Sequence, residues 1–341
     1  MNDADLRNRA LQLTMGAMAA QVAHTVITME LPQVMGDEES TIADLAQKVD
    51  VPADRLIRLV RAAAAIGLCT ENSAAVFQLT EFGRRLRPDH PESIQALVRM
   101  FTEPAMLAGW AKLDRAVRTG ETTFDEVFGM PMFRYLDRHP EMSALFNGAM
   151  SQATRTVAAQ LPEHYDFSGR AHLIDIGGGD GTLVQGVLQA NPQLRGSVFD
   201  TASGGAQAAA RFAESGLAGR TDVLVGDFFA EAPDGGDVYL VKSILHDWDD
   251  DRCVRILGHI RGVIPEDGLL LILEPVLPDL VPAEGHAGMY LSDLNMLVNV
   301  GGRERTRSEF EQLCRRAGFS VSSVVSPGPQ FRFSIIEARP V

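Results

Sequence analysis

Apolar positions follow two regimes along this chain. Up to about residue 165 they recur at helical spacing, and from 171 onward short apolar runs alternate with helical stretches. The pivotal run is Leu173-Ile174-Asp175-Ile176-Gly177-Gly178-Gly179-Asp180-Gly181, after which a helical pattern extends from Thr182 to Gln189. An apolar run entering a glycine cluster and then a helix predicts a strand, a tight turn and a helix start. Strands are expected at 171–176, 197–200, 222–226, 237–242, 269–274, 319–325 and 331–337. The last two are joined by Ser326-Pro327-Gly328-Pro329, too short for a helical crossover, so they should form an antiparallel hairpin. Five parallel strands with an antiparallel end make a doubly wound α/β sheet.

The first part reads differently. Residues 1–35 read as helix, closed by Pro32 and Gly36. Ser40 is placed to cap a helix through Ala46, and Asp54 to cap another running to Ile66. Strand-like pieces at 67–70 and Val76–Leu79 flank a turn at Glu71-Asn72-Ser73-Ala74, completing a helix-turn-helix with a wing. Its two readings are DNA recognition, through Arg55, Arg58 and Arg61 at helical spacing, and a dimerisation scaffold. Asp44, Asp50, Asp54 and Glu71 nearby favour the scaffold. Residues 91–165 read as helical, with Phe133, Phe146 and Met150 among an aromatic and methionine stripe. Such stripes ordinarily build core, but a segment linking two domains is also where small-molecule pockets form. The expected division is thus 1–90, a winged-helix-like dimerisation domain; 91–165, a helical connector contributing to a substrate pocket; and 166–341, the ligand-binding sheet domain.

Charge narrows the partners. The 341 residues carry a formal net charge of −14, which disfavours nucleic acid, since phosphate contacts need a basic face. Cys69, Cys253 and Cys314 are odd in number and far apart, so no disulfide frame or zinc site follows, and a reducing, cytoplasmic setting fits. The acidic start is unlike a signal peptide. The stretch 10–29 has no formal charge, but Gln12, Thr14, Gln21, His24, Thr25 and Thr28 make it too polar for a lipid-facing span. A helix buried between subunits is the better reading, so no membrane is expected and a homodimer is.

Ligands of open α/β sheets bind off the carboxyl ends of the strands, and each expected strand end here carries a polar residue. Asp175 ends the first, Asp200 ends the second and Asp227-Phe228 follows the third. Lys242-Ser243 and then His246-Asp247-Trp248 follow the fourth, and Glu274-Pro275 the fifth. Strand-end acids often cap the next helix, yet five in register are hard to ascribe to capping. Asp200 suits two ribose hydroxyls, and Asp227-Phe228 offers an acceptor and a flat face to adenine. Glycines 177, 179 and 181 do not meet the dinucleotide spacing, and there is no P-loop lysine. The implied ligand has an adenosine and no required pyrophosphate, which S-adenosylmethionine satisfies.

Asp175–Gly181, Gly226-Asp227-Phe228-Phe229, Lys242-Ser243-Ile244-Leu245-His246-Asp247-Trp248, Glu274-Pro275-Val276-Leu277-Pro278 and Gly301-Gly302-Arg303-Glu304-Arg305-Thr306 occur in order. This series resembles the motifs of the S-adenosylmethionine-dependent O-methyltransferases of the plant caffeic acid, chalcone and acetylserotonin type, including their bacterial natural-product branch. The resemblance covers nearly the whole chain. It implies a Rossmann-like class I methyltransferase domain behind an N-terminal winged-helix dimerisation domain. It further implies that Asp175, Gly177, Gly179, Asp200, Asp227, Phe228, Lys242 and Ser243 hold the cofactor. By the same resemblance His246 is the general base, Glu274 and Glu304 flank its ring, and no metal is needed. Thr201-Ala202-Ser203 departs from the family's Leu-Pro after the ribose acid. Phe133, Phe146, Met150, Met289, Asp293 and Asn295 are the pocket candidates, suiting a flat, small aromatic acceptor.

The chemistry agrees with that transfer. A phenol, with a pKa near 10, is mostly protonated at neutral pH, and a histidine can take its proton as the methyl moves. The bland alternative for His246 is a residue at a helix start; Asp247 or Asp249 serves that role better. A metal held by His246 with Asp249–Asp251 is disfavoured, because those acids complement a helix N-terminus. Two other functions remain open at this level: a family member performing hydroxylation or decarboxylation with the cofactor bound, and a metabolite-sensing winged-helix regulator.

Overall fold

The apolar runs of the second half become the central sheet, and the runs at its centre are buried on both faces. In the computed structural model, which describes residues 2–282, 287–328, 331 and 333–341, the chain divides into two compact units. One comprises Met1–Leu107 with Ala144–Gln152, the other Ala108–Ser143 with Ala153–Val341.

In the first unit, helix Asp3–Thr28 opens on a capping box between Asn2 and Asp5. It stops earlier than expected: Glu30 takes a left-handed φ of 53° and a second helix spans Leu31–Met35. Pro32 explains the break, since it has no N–H to continue the ladder but fits the first turn of a new helix. Strand β1 (Ser40–Thr41) leads into helix Ile42–Val49, helix Ala53–Ala65 and the hairpin β2 (Cys69–Ser73) and β3 (Val76–Leu79). The sheet order is β1-β3-β2. Three local expectations change. Ser40 pairs with Phe77 in the sheet, and Thr41 does the capping, accepting from the Asp44 amide at 3.2 Å. Pro52, not Asp54, holds the second helix's cap position. Glu71–Ser73 belong to β2, leaving a tighter turn in which Ala75 has φ 60° and Glu71 accepts its amide at 3.0 Å. Leu45, Leu56, Val60, Phe77 and Leu79 make this unit's core.

Residues 91–165 contain helices and no strand. In the second unit β4 (His172–Ile176), β5 (Arg195–Asp200), β6 (Thr221–Val225), β7 (Val238–Lys242) and β8 (Leu269–Glu274) run parallel. A short parallel pair follows, β9 (Val276–Leu277) with β10 (Arg305–Thr306). Then β11 (Phe319–Val325) and β12 (Ser334–Pro340) close the sheet antiparallel, in the order β11-β12-β8-β7-β4-β5-β6. The pleat sorts the side chains: Leu269, Leu271 and Leu273 enter one core layer, Leu270 and Ile272 the other. β4 sits between β5 and β7, so the chain's winding reverses there, and a crevice opens at its carboxyl end. β12 lies three residues later than the apolar pattern suggested, because Ser334 pairs with Glu274 and Pro340 with Phe319. Among the described residues, no helix is long and apolar enough to cross a membrane.

Candidate active site

The turn after β4 is built by glycines in left-handed conformations: Gly177, Gly179 and Gly181 have φ of 71°, 57° and 78°. A Cβ at Gly177 would collide with Ile244, and one at Gly181 would lie 2.6 Å from Phe212. A Cβ at Gly179 would meet no protein atom within 4 Å, so the turn opens there. Its amide donates to Asp200 Oδ2 at 2.9 Å, while Asp200 Oδ1 accepts from the Thr201 amide at 2.7 Å. The ribose-side acid thereby ties the end of β5 to the glycine turn. Burial raises the Asp200 pKa and these backbone donors oppose the rise.

The other strand-end residues gather around the same crevice. Asp175 lies inside β4, one residue before its end, and burial pushes it up to about 8 although Lys242 pulls it down. Lys242 ends β7, with Nζ 3.1 Å from Ser243 Oγ; burial lowers its pKa, opposed by Glu274, Asp175 and Asp247. Ser243 itself is held at φ 52°, a strained conformation for a non-glycine. Asp227 accepts from the Phe229 amide at 2.8 Å. Phe228 and Phe229 pack edge-on against each other, and both against Trp248, at 4.9, 6.4 and 4.8 Å. A glycine cradle open at Gly179, two carboxylates and an aromatic face fit an adenosine-bearing cofactor.

His246 stands on a single helical turn, Leu245–Asp247, between β7 and the helix Asp250–Val263. Asp249 caps that helix, accepting from the Arg252 amide at 2.9 Å, as the sequence suggested. The turn is held from below by Glu274, fully buried at the end of β8. Its Oε1 accepts the amides of Ile244, Leu245 and His246 at 3.0, 2.9 and 3.3 Å. Its Oε2 lies 3.6 Å from His246 Nδ1, and Glu304 Oε1 lies 3.2 Å from the same nitrogen. On the ring's other side Nε2 is 3.6 Å from Asp247 Oδ1. Ser292 Oγ donates to Glu304 Oε1 at 2.8 Å, and Asp293 Oδ1 accepts the Glu304 amide at 2.8 Å. Among the described residues, Glu274 Oε2 and Glu304 Oε2 are buried without a hydrogen-bond partner.

This arrangement concentrates negative charge on one imidazole. Burial works against a charged ring, but Glu274, Asp247 and Glu304 together raise His246 to about 10. Burial likewise pushes Asp247 up to about 7 and raises Glu274, with His246 pulling both back. The ring nitrogen and two carboxylates come within 4.8 Å of one another, close enough to grip a small cation. Nδ1 is also within hydrogen-bonding distance of Glu304, at 3.2 Å.

Of the pocket candidates, Phe133 stacks on Trp248 at 5.6 Å, and Asn295 Oδ1 accepts from Trp110 Nε1 at 3.1 Å and from Asn299 Nδ2 at 2.8 Å. Met289 shares the helix Ala287–Asn299 with Asn295 and Asp293. Asp293 is engaged by the Glu304 amide, so it supports the segment that carries Glu304. Phe146 and Met150 fall in the first unit. Sequence reasoning missed Asp247 as a third carboxylate at the ring, and Ser292 as the donor to Glu304. It also passed over Gly302, where a Cβ would collide with the His246 carbonyl, although the Gly301-Gly302 pair lay inside a quoted motif.

Comparison with known proteins agrees with this site. Residues 110–320 match the family model of the O-methyltransferase domain. The O-demethylpuromycin-O-methyltransferase of Streptomyces alboniger is 43% identical over 98% of this chain and 89% of its own. The solved mitomycin 7-O-methyltransferase MmcR superposes with a TM-score of 0.91 at 35% identity, covering 99% of this chain and 98% of its own. An O-methyltransferase of neocarzinostatin biosynthesis, solved with S-adenosyl-L-homocysteine and 1,4-dihydroxy-2-naphthoic acid, gives 0.77 at 31% identity over 94% and 96%. The chain therefore belongs to the family of S-adenosylmethionine-dependent O-methyltransferases.

Proposed function

We propose that this enzyme methylates a phenolic hydroxyl of a small aromatic natural product, with His246 as the general base. The observation that carries the reading is the His246 ring, Nδ1 facing Glu304 and Glu274 at 3.2 and 3.6 Å in a buried cluster. The cofactor supplies an electrophilic methyl group on a sulfonium sulfur. Gly177 and Gly179 would hold it by close backbone approach, with Asp200 taking the ribose, Asp227 and Phe228 the adenine, and Asp175, Lys242 and Ser243 the remaining polar contacts. Phe133, Met289 and Asn295 would orient a flat acceptor, a class to which the naphthoic acid bound by the neocarzinostatin relative belongs.

His246 does the acid–base work. With a proton on Nδ1 directed at Glu304, Nε2 presents its lone pair and takes the hydroxyl proton as the methyl moves. Three carboxylates stabilise the imidazolium that results, and its pKa of about 10 matches that of a phenol, so the proton moves with little free-energy change. His246→Ala is expected to lower kcat on an un-ionised phenol by about 10²–10⁴-fold. Calorimetry should show cofactor affinity intact, and the deficit should shrink for acidic phenols. Near-normal turnover of an un-ionised phenol by that variant overturns the assignment.

The N-terminal unit serves dimerisation in this reading. Leu11, Met15 and Met18 of helix Asp3–Thr28 are exposed and share one side of it, leaving an apolar face that a second copy would cover. The three buried free thiols suit a reducing cytoplasm.

A further inference from the structure

Arg305 is wholly buried, unusual for an arginine, and its guanidinium spends its donors on one segment. Nη1 donates to the Leu245 carbonyl at 2.7 Å and Nη2 to the Trp248 carbonyl at 2.8 Å. Nε and Nη2 also reach Asp250 Oδ1 at 3.0 and 2.8 Å. Leu245 and Trp248 bracket His246-Asp247, so one planar group clamps both ends of the turn that carries the base and pins it to the following helix. The Cys253 thiol adds a weaker contact to the Leu245 carbonyl at 3.1 Å. Opposite, Gly302 leaves no room for a side chain because the His246 and Asp247 backbone packs against it.

Register completes the device. Arg305 pairs with Val276 in the β9–β10 ladder, so Glu304 and Glu274 flank paired positions of two adjacent strands. The strand that starts at Arg305 thus lies beside the one that follows Glu274, with Glu304 immediately before it. Its neighbour Glu304 touches the ring while Arg305 holds the backbone beneath it. Burying a guanidinium is costly and is offset only when its donors are met. Lysine could not reproduce this, since an ammonium lacks the planar fork that reaches two carbonyls and a carboxylate at once.

We propose that Arg305 is a positioning residue for methyl transfer, acting through His246 by fixing the imidazole between Glu274 and Glu304. The inference rests on His246 being the base. Its test is a double-mutant cycle of Arg305→Lys and His246→Ala, with kcat measured on an un-ionised phenol and cofactor binding and melting temperature measured on each protein. Arg305→Lys is expected to lower kcat by about 10–100-fold through misplacement of the ring, with acceptor KM and cofactor affinity retained. In the His246→Ala background the same substitution should cost nothing further. An equal loss in both backgrounds, or no loss in the wild-type background, overturns the positioning role. Near-normal turnover by His246→Ala alone strikes the base assignment instead and removes the positioning role with it. If Arg305→Lys does not fold, Asp250→Asn loosens the same clamp from its half-exposed end; a smaller kcat loss that vanishes without His246 supports the role, and one that persists refutes it.

Discussion

Glu304→Gln separates the charge on the catalytic cluster from its shape. Glutamine keeps an oxygen for Ser292 and for His246 Nδ1 but removes the negative charge 3.2 Å from the ring. A unit charge at about 4 Å with an effective dielectric near 20 is worth about 4 kcal/mol, or about 3 pKa units. Glu274 and Asp247 remain beside the ring, so His246 is expected to fall from about 10 by about 1–3 units. The sign follows directly. The raised pKa keeps wild-type His246 protonated at neutral pH, so its kcat/KM on an un-ionised phenol climbs with pH toward about 10. In the variant more of the base is free at pH 7, but its rise ends sooner. The acceptor's own ionisation cancels in the ratio of wild-type to variant kcat/KM. That ratio should grow about tenfold, from the acid to the alkaline end, for every unit the pKa drops. Steady-state profiles from pH ~6 to ~10 with one weakly acidic phenol measure it. A ratio that stays flat, or rises toward acid, refutes the claim that carboxylate charge holds the proton on His246.

Two further outcomes test the rest of the assignment. Asp200→Asn should weaken cofactor binding by about 1–3 kcal/mol, because a charged acceptor for the ribose and for the Gly179 and Thr201 amides is lost; calorimetry giving wild-type affinity would place the ribose elsewhere. Leu11→Glu with Met18→Glu, seven residues apart, places two charges on one exposed face of helix Asp3–Thr28 and should convert a dimer to monomer by light scattering. A monomeric, fully active wild-type protein would dispose of the dimer.

Much of this molecule was legible without coordinates, and for a local reason. Strands β4, β7 and β8 are buried on both faces, so their apolar runs stand out in sequence, and β8 came within its observed bounds of Leu269–Glu274. The glycine turn was readable because only glycine adopts φ of 57–78° without strain. Asp249 was readable because capping is settled within four residues. Tertiary structure decided whatever depends on a distant partner. β12 begins three residues late because pairing with β8 and β11 sets its ends, whereas Phe331 and Phe333 extend the apolar pattern before it. Ser40 yields its cap to Thr41 because Phe77 claims it for a sheet. Asp247 looked like a helix-start acid and stands instead at the imidazole, and Arg305, given no role by its motif, is wholly buried. Residues 246, 274 and 304 carry separate motifs, but the His246 pKa is raised only once the fold draws three carboxylates around one ring, out of water.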